Sequence, residues 1–116
     1  RFVNEGKSIT VTTEQTGTPT NALDLSKAIL KIISFNSNNF GIYHVSNTGK
    51  STWYDFAKAI LKNTEQIGTS KLVKVNYFST FAARPNFSVL NTEKFTNEFG
   101  FLLPPWEKSL KKIISK

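Results

Sequence analysis

Arg84 is the residue of this sequence whose chemistry is easiest to assign. Of the 15 basic residues only Arg1 and Arg84 are arginine. A guanidinium offers a planar fork of N–H donors that binds phosphate oxygens two at a time, which a lysine ammonium cannot do. Pro85 disfavours helical geometry at Arg84 and stiffens the position. Composition and donor geometry make Arg84 a candidate for binding an anion such as phosphate, and the structural alternative is an ion pair to a carboxylate or a contact with a helix end.

Tyr54 and Lys58 have the Tyr-x-x-x-Lys spacing of short-chain dehydrogenases, in which the pair transfers a proton to a carbonyl. Short motifs of this kind often match by accident, and this pair lies at the edge of the apolar stripe of a capped helix. No two of the six glycines are three residues apart, so the sequence has no Gly-rich phosphate loop of the dinucleotide-binding kind. We interpret the pair as a coincidence and predict no catalytic and no cofactor-binding residue in this chain.

His44 is the only histidine and lies in an apolar run. We expect it to pack or to bond to the backbone, because no partner can be placed for a general base. The eight carboxylates do not cluster with His44, and the chain has no cysteine, so the sequence predicts no metal site. The lack of cysteine also excludes a disulfide framework and a cysteine nucleophile, and it fits a reduced, cytoplasmic setting.

The formal charge of +7 and the pI of about 9.8 raise the question of a polyanionic partner. Lys108, Lys111 and Lys112 fall opposite the apolar stripe of the last helix, so we expect most of the charge to form a solvated face. A nucleic-acid-binding surface would interleave aromatic residues with arginines, and we predict no nucleic-acid partner. No apolar run approaches the ~20 residues that cross a bilayer, so no membrane span is expected.

The central stretch of the chain is predicted to be strand, turn and helix. A β-prone run extends from Ile42 to Val45, and the turn residues 47–49 end it. Thr52 then opens a helix, with Asp55 at the capping-box spacing. One stripe of this helix is apolar and consists of Trp53, Phe56, Ala57, Ile60 and Leu61.

The remaining elements pack around that unit. Half-buried strands are predicted at residues 7–13 and 73–77. A short helix ends at Gly100, and a final helix follows Pro104 and Pro105. These elements indicate an α+β fold, a small sheet with packed helices, in a single domain that covers residues 1–116.

The helix that begins near Thr20 or Asn21 has an unusually broad apolar arc. Leu23 and Leu30 lie outside its main stripe, so we expect this helix to contact two bodies, one of them outside this chain. The main stripe consists of Ala22, Leu25, Ile29, Ile32 and Ile33, and the narrow polar face consists of Asp24, Lys27 and Lys31.

Six short motifs occur in one order along nearly the whole chain. They are Gly17-Thr18-Pro19-Thr20 with Asp24-Leu25, Gly41-Ile42-Tyr43-His44-Val45-Ser46-Asn47, Trp53-Tyr54-Asp55-Phe56-Ala57, Ala83-Arg84-Pro85, Leu90-Asn91-Thr92-Glu93-Lys94-Phe95 and Leu103-Pro104-Pro105-Trp106. In this order and spacing the sequence resembles the dTDP-4-dehydrorhamnose reductases, members of the extended short-chain dehydrogenase class. One departure is Glu14, where members of that family usually have aspartate.

The resemblance implies the C-terminal, sugar-nucleotide-binding portion of an extended short-chain dehydrogenase whose Rossmann domain lies upstream of Arg1. The implied reaction converts dTDP-4-dehydro-L-rhamnose to dTDP-L-rhamnose with NADPH or NADH, and the missing domain would bind the cofactor. The resemblance places Arg84 at the diphosphate of the dTDP-sugar, with Asn86 and Asn91 as weaker neighbours. It carries over no catalytic, cofactor-binding or metal-binding residue.

Two other interpretations stay open at this point. One is a non-catalytic regulatory subunit of the methionine adenosyltransferase type, which is similar to these reductases, and the other is a lysine-rich interaction domain without a small ligand. The chain begins at Arg1 and contains no methionine, so we expect it to be part of a longer protein. Assembly into a homo-oligomer is left open.

Overall fold

The computed structural model describes residues 8–64, 71–76 and 81–115. In these residues four helices pack with short strand pairs, which confirms the predicted α+β fold. In order, they are β1 (Ser8–Thr12), β2 (Thr16–Gly17), α1 (Ala22–Phe35), β3 (Ser51–Thr52), α2 (Trp53–Asn63), β4 (Lys71–Val75), α3 (Glu93–Phe99) and α4 (Trp106–Ile114).

The strands of the described residues form two separate pairs. β1 and β4 are parallel, with Ser8 opposite Lys71 and Thr12 opposite Val75. β2 and β3 are antiparallel, with Thr16 opposite Thr52. Parallel strands need a long crossover connection, and here that connection contains both α1 and α2. The two outer predicted strands are confirmed as β1 and β4, although Tyr77 of the second lies outside the described residues.

Local capping sets the helix boundaries, as the sequence predicts. The Asn21 Oδ1 accepts a hydrogen bond from the Leu23 N–H at 2.9 Å, which starts α1. The Thr52 Oγ1 accepts from the Asp55 N–H at 3.1 Å, which starts α2. Gly100 has a φ of 60° and ends α3 in the left-handed conformation that glycine adopts without a steric penalty.

The apolar core lies between α1, α3 and the segment that follows Gly41. Its buried residues are Ala28, Phe95, Phe99 and Leu103, with Tyr43, Val45 and Phe101 packed against them. The Phe95 and Phe99 rings are 5.1 Å apart, and the Tyr43 ring meets Phe99 edge-on at 5.3 Å. These contacts join α1 and α3 to the chain that leads into the candidate site.

The predicted strand at residues 42–45 is wrong, although its side-chain alternation is right. Tyr43 and Val45 are half-buried against the core, whereas Ile42 is exposed. None of the described strands pairs with this segment. A β-prone run fixes which side chains share a face, but a strand also needs a neighbouring backbone to bond with.

The predicted inward stripe of α1 is also wrong. The buried residues of this helix are Asp24 and Ala28, so the helix turns part of its predicted polar face inward. The outer face of α1 consists of six large apolar side chains that are between 36% and 70% exposed, namely Leu23, Leu25, Ile29, Leu30, Ile32 and Ile33. The burial of Asp24 is possible because neighbouring side chains satisfy its carboxylate.

The lysine side chains of α4 face the solvent, as predicted. Lys108, Lys111 and Lys112 are all exposed. Trp106, Ser109 and Leu110 form the buried side of the same helix. Within the described ranges no helix is long and apolar enough to cross a membrane.

Candidate functional site

Three segments that are distant in sequence meet at Thr16. The Thr16 N–H donates to the Asn86 carbonyl at 2.8 Å, and the Thr16 carbonyl accepts from the Ser88 N–H at 2.8 Å. On its other side Thr16 pairs with Thr52 of β3. A Cβ at Gly17 would lie 3.0 Å from the Ser88 Oγ, so a side chain at this position would require the Ser88 hydroxyl to move. The junction brings the start of α2 next to the chain around Arg84.

A cleft of about 320 Å³ opens over this junction. Its walls come from residues 15–19, from residues 51–53 with Phe56, and from Arg84, Pro85 and Ser88. The volume falls at the lower end of the range for small-molecule sites, roughly 300–1,000 Å³. Apolar walls with a few convergent polar groups are typical of such sites.

Arg84 lies in this cleft and is exposed. Among the described residues, no ion pair or hydrogen bond joins its side chain to another group. The carboxylate or helix end that a structural role would require is therefore not found in the part of the chain that the structure describes. A guanidinium that lies in a cleft and has no partner among residues 8–64, 71–76 and 81–115 is suited to an anionic ligand.

The two asparagines of the predicted site occupy different positions. Asn86 binds Thr16 through its backbone carbonyl, and its side chain is exposed beside the cleft. The Asn91 Oδ1 accepts from the Glu93 N–H at 2.9 Å, at the start of α3. Asn91 does not line the cleft. The role of both residues as substrate ligands stays a prediction.

Trp53 and Gln15 are cleft residues that the sequence analysis did not single out. Trp53 is 56% exposed, although we assigned it to the packing stripe of α2. Its indole Nε1–H donates to the Gln15 Oε1 at 3.1 Å, and its ring meets Phe56 edge-on at 6.3 Å. The sequence contained one indication of this exposure. Trp53 directly follows Thr52, the N-cap of α2, and a side chain at the first helical position can project beyond the packed stripe.

A buried polar network links the elements behind the cleft. The Asp24 carboxylate accepts hydrogen bonds from the Asn47 Nδ2 at 2.9 Å and from the Ser109 hydroxyl. The Asn47 side chain also accepts from the Asn21 N–H at 2.7 Å and donates to the Pro104 carbonyl at 2.9 Å. The side-chain amide of Asn47 thus connects the start of α1 to Pro104, which lies just before α4. It also bonds to Asp24, which in turn bonds to Ser109 of α4.

The electrostatics of the network keep Asp24 ionised. Burial raises the pKa of Asp24. The hydrogen bonds from Ser109 and Asn47 and the charges of Lys27 and Lys112 together lower it by a larger amount, so the net pKa of Asp24 lies below its usual value. A carboxylate at neutral pH is the form that accepts both bonds.

The remaining candidates for chemistry lie outside the cleft. The Tyr54 ring lies under the Lys74 Nζ, 4.8 Å from its centroid, and Lys58 is exposed. His44 is exposed as well, so the expected packing role is wrong: the alternation that turns Tyr43 and Val45 inward turns His44 outward. Among the described residues no group of three His, Asp or Glu side chains could hold a metal ion.

Comparison with known proteins identifies the family. The sequence model of the RmlD substrate-binding domain matches residues 1–116. The chain belongs to this family. The match covers the cleft, the buried network and the outer face of α1 together.

The RmlD relatives include the dTDP-4-dehydrorhamnose reductase of Escherichia coli K12, which is 30% identical over the whole of this chain, and a spore coat polysaccharide biosynthesis protein of Bacillus subtilis, SpsK, 31% identical over 95% of it. Among solved structures, the dTDP-4-dehydrorhamnose reductase of Bacillus anthracis in complex with NADP matches the whole chain with a TM-score of 0.88 and 32% identity. The chain spans 42%, 38% and 41% of these proteins, respectively. The comparisons give no support to the regulatory-subunit interpretation.

Proposed function

We propose that this chain is the sugar-nucleotide-binding portion of a dTDP-4-dehydrorhamnose reductase. The intact protein would reduce dTDP-4-dehydro-L-rhamnose to dTDP-L-rhamnose. Family membership and the names of the relatives support the reaction class. The observation that carries the proposal for this chain is the guanidinium of Arg84, which has no partner among the described residues and lies in a cleft large enough for part of a nucleotide.

The diphosphate is the part of the substrate that Arg84 is suited to bind. A diphosphate presents several oxygens at fixed spacing, and a guanidinium can donate to two of them in parallel. The formal charge of +7 favours approach of such an anion. Asn86, beside the cleft, is the nearer of the two proposed amide ligands, and Asn91 would reach the ligand only from the start of α3.

The proposal assigns the cofactor and the catalytic residues to the part of the protein that precedes this chain. A Rossmann domain there would bind NADPH or NADH, as the NADP complex of the B. anthracis relative suggests. The outer face of α1 supplies an apolar surface for that domain. Residues 1–116 would then form one C-terminal domain of a cytoplasmic enzyme, and a homo-oligomer is compatible with this arrangement.

The test is Arg84→Lys in the full-length protein, because lysine keeps the charge and loses the planar fork. The KM for the dTDP-sugar should rise by about 10- to 140-fold, since a charge-assisted hydrogen bond contributes roughly 1.5–3 kcal/mol. The KM for the nicotinamide cofactor should not change. Lys111→Ala, which removes an exposed charge of α4, is the matched control and should leave both constants unchanged.

An unchanged KM for the dTDP-sugar together with a lower melting temperature would contradict the proposal. It would mean that Arg84 stabilises the segment around Pro85 and that the substrate binds elsewhere.

A further inference from the structure

We infer that Gln15 and Trp53 recognise the base of the nucleotide and select a pyrimidine with a carbonyl at position 4. This inference rests on the proposed function and adds the orientation of the ligand: the base lies against Trp53, the diphosphate lies at Arg84, and the sugar points out of the cleft.

The direction of the ligand depends on where the chemistry must take place. The diphosphate connects the base to the sugar, so a diphosphate held by Arg84 leaves one of those two ends in the cleft. In the proposed enzyme the sugar must reach a cofactor that another part of the protein binds. The end that stays in this cleft is therefore the base.

Trp53 provides the surface against which a base can stack. Its side chain is 56% exposed and lines the same cleft as Arg84. Stacking of an aromatic side chain stabilises a bound base and by itself hardly distinguishes one base from another. The contact with Phe56 and the bond to Gln15 hold the indole in one orientation.

Gln15 provides the selectivity. Its Oε1 accepts the indole N–H of Trp53, which fixes which end of the amide is oxygen and which is nitrogen. Among the described residues nothing accepts from the Gln15 Nε2, so two N–H donors remain in the cleft wall. Thymine and uracil carry a carbonyl oxygen at position 4, which accepts such a donor, whereas cytosine carries an amino group there, which cannot.

The experiment measures binding of dTDP, dCDP and inorganic diphosphate to the full-length protein by calorimetry. The key variant is Gln15→Glu, because a carboxylate still accepts the indole N–H of Trp53 but has no donor for the base. The unaltered protein should bind dTDP at least tenfold more tightly than dCDP. Gln15→Glu should bring the ratio of the two affinities to one or below, because a carboxylate accepts from the amino group of cytosine and repels the carbonyl oxygen of thymine, and any added repulsion from the phosphates cancels in that ratio.

Trp53→Ala is the second variant and tests the stacking contact. It should weaken dTDP binding by about tenfold and leave the affinity for inorganic diphosphate unchanged, because diphosphate has no base. Arg84→Lys is the reference variant and should weaken the binding of all three ligands. Thermal unfolding of each variant verifies that it is folded.

Three outcomes would be adverse. A dTDP-to-dCDP ratio that Gln15→Glu does not change, while Arg84→Lys weakens dTDP, would overturn the base-reading role and leave the proposed function intact. Weaker binding of inorganic diphosphate to Trp53→Ala would also overturn it, because the tryptophan would then act on the phosphate site. If Arg84→Lys leaves dTDP binding unchanged, the proposed function itself is wrong.

Discussion

Two amphipathic helices of this chain, α1 and α4, place their apolar residues in opposite ways. In α4 the aromatic and aliphatic side chains of Trp106 and Leu110 are buried and the lysines are exposed. In α1 the buried positions hold a carboxylate and a methyl group, Asp24 and Ala28, and the large aliphatic residues face outward. A helical pattern thus identifies an apolar face but does not say which surface covers it.

The two helices differ in the location of the surface that covers their large apolar residues. The partners of α4 belong to the described chain: Trp106 meets Phe56 of α2 with ring centroids 5.8 Å apart. The inner side of α1 instead packs against the core through Ala28, which is small enough for close contact. The hydrogen bonds of Asp24 hold that side in place. Polar bonds therefore set the position of α1, and its aliphatic side is left for a further contact.

Replacing Asp24 with alanine should have the largest effect on the folded state. The change leaves the buried donors of Asn47 and Ser109 without their shared acceptor, so the free energy of unfolding should fall by about 2–4 kcal/mol. Asp55→Ala is the matched control, because Asp55 holds the same third position of α2 but is exposed. Denaturant unfolding of both variants measures the difference. Equal losses would mean that the first turn of a helix, rather than the buried network, explains the effect.

Replacing two leucines on the outer face of α1 should have a smaller effect, and on association rather than folding. Leu23 and Leu30 are 46% and 64% exposed, so the 116-residue chain should self-associate through them. Leu23→Ser with Leu30→Ser should weaken that association by about tenfold or more, as expected for removing exposed apolar area from a contact. Sedimentation across a concentration series provides the measurement. An unaltered chain that is monomeric throughout would contradict the interpretation of the outer face.

The smallest expected effect is the response of the Asp24 network to pH. Its lowered pKa means that the carboxylate stabilises the folded chain above the usual carboxyl pKa, and that this stability is lost as the pH falls through the lower, folded-state value. The stability gap between the unaltered chain and Asp24→Asn should therefore narrow from pH 7 to pH 3. Urea titrations at several pH values track the gap. A gap that widens on acidification would reverse the assigned sign.

The sequence predicted those features that depend on residues close together in the chain. The caps Thr52 and Gly100 act within one helical turn, so their residue types alone indicated the start of α2 and the end of α3. For α1 the sequence offered both Thr20 and Asn21, and the structure shows that Asn21 is the cap. Arg84 was likewise visible by composition, since arginine is rare in this chain.

The errors came from contacts that are distant in sequence. The burial of Asp24 depends on Asn47 and Ser109, which are 23 and 85 residues away. Trp53 and Gln15 are 38 residues apart and meet only because β2 pairs with β3. No local pattern contains those distances, so the inner side of α1 and one wall of the cleft could not be derived before the structure.

The most direct test of the assignment is a pair of titrations of the 116-residue chain, one with dTDP and one with NADPH, after its cooperative thermal unfolding has been verified. We predict saturable binding of dTDP that Arg84→Lys weakens, and no binding of NADPH, because the exposed Arg84 lines a cleft of about 320 Å³ and the chain has no Gly-rich loop for a dinucleotide. Saturable NADPH binding, or a folded chain that does not bind dTDP, would contradict the assignment of this chain as the sugar-nucleotide-binding portion.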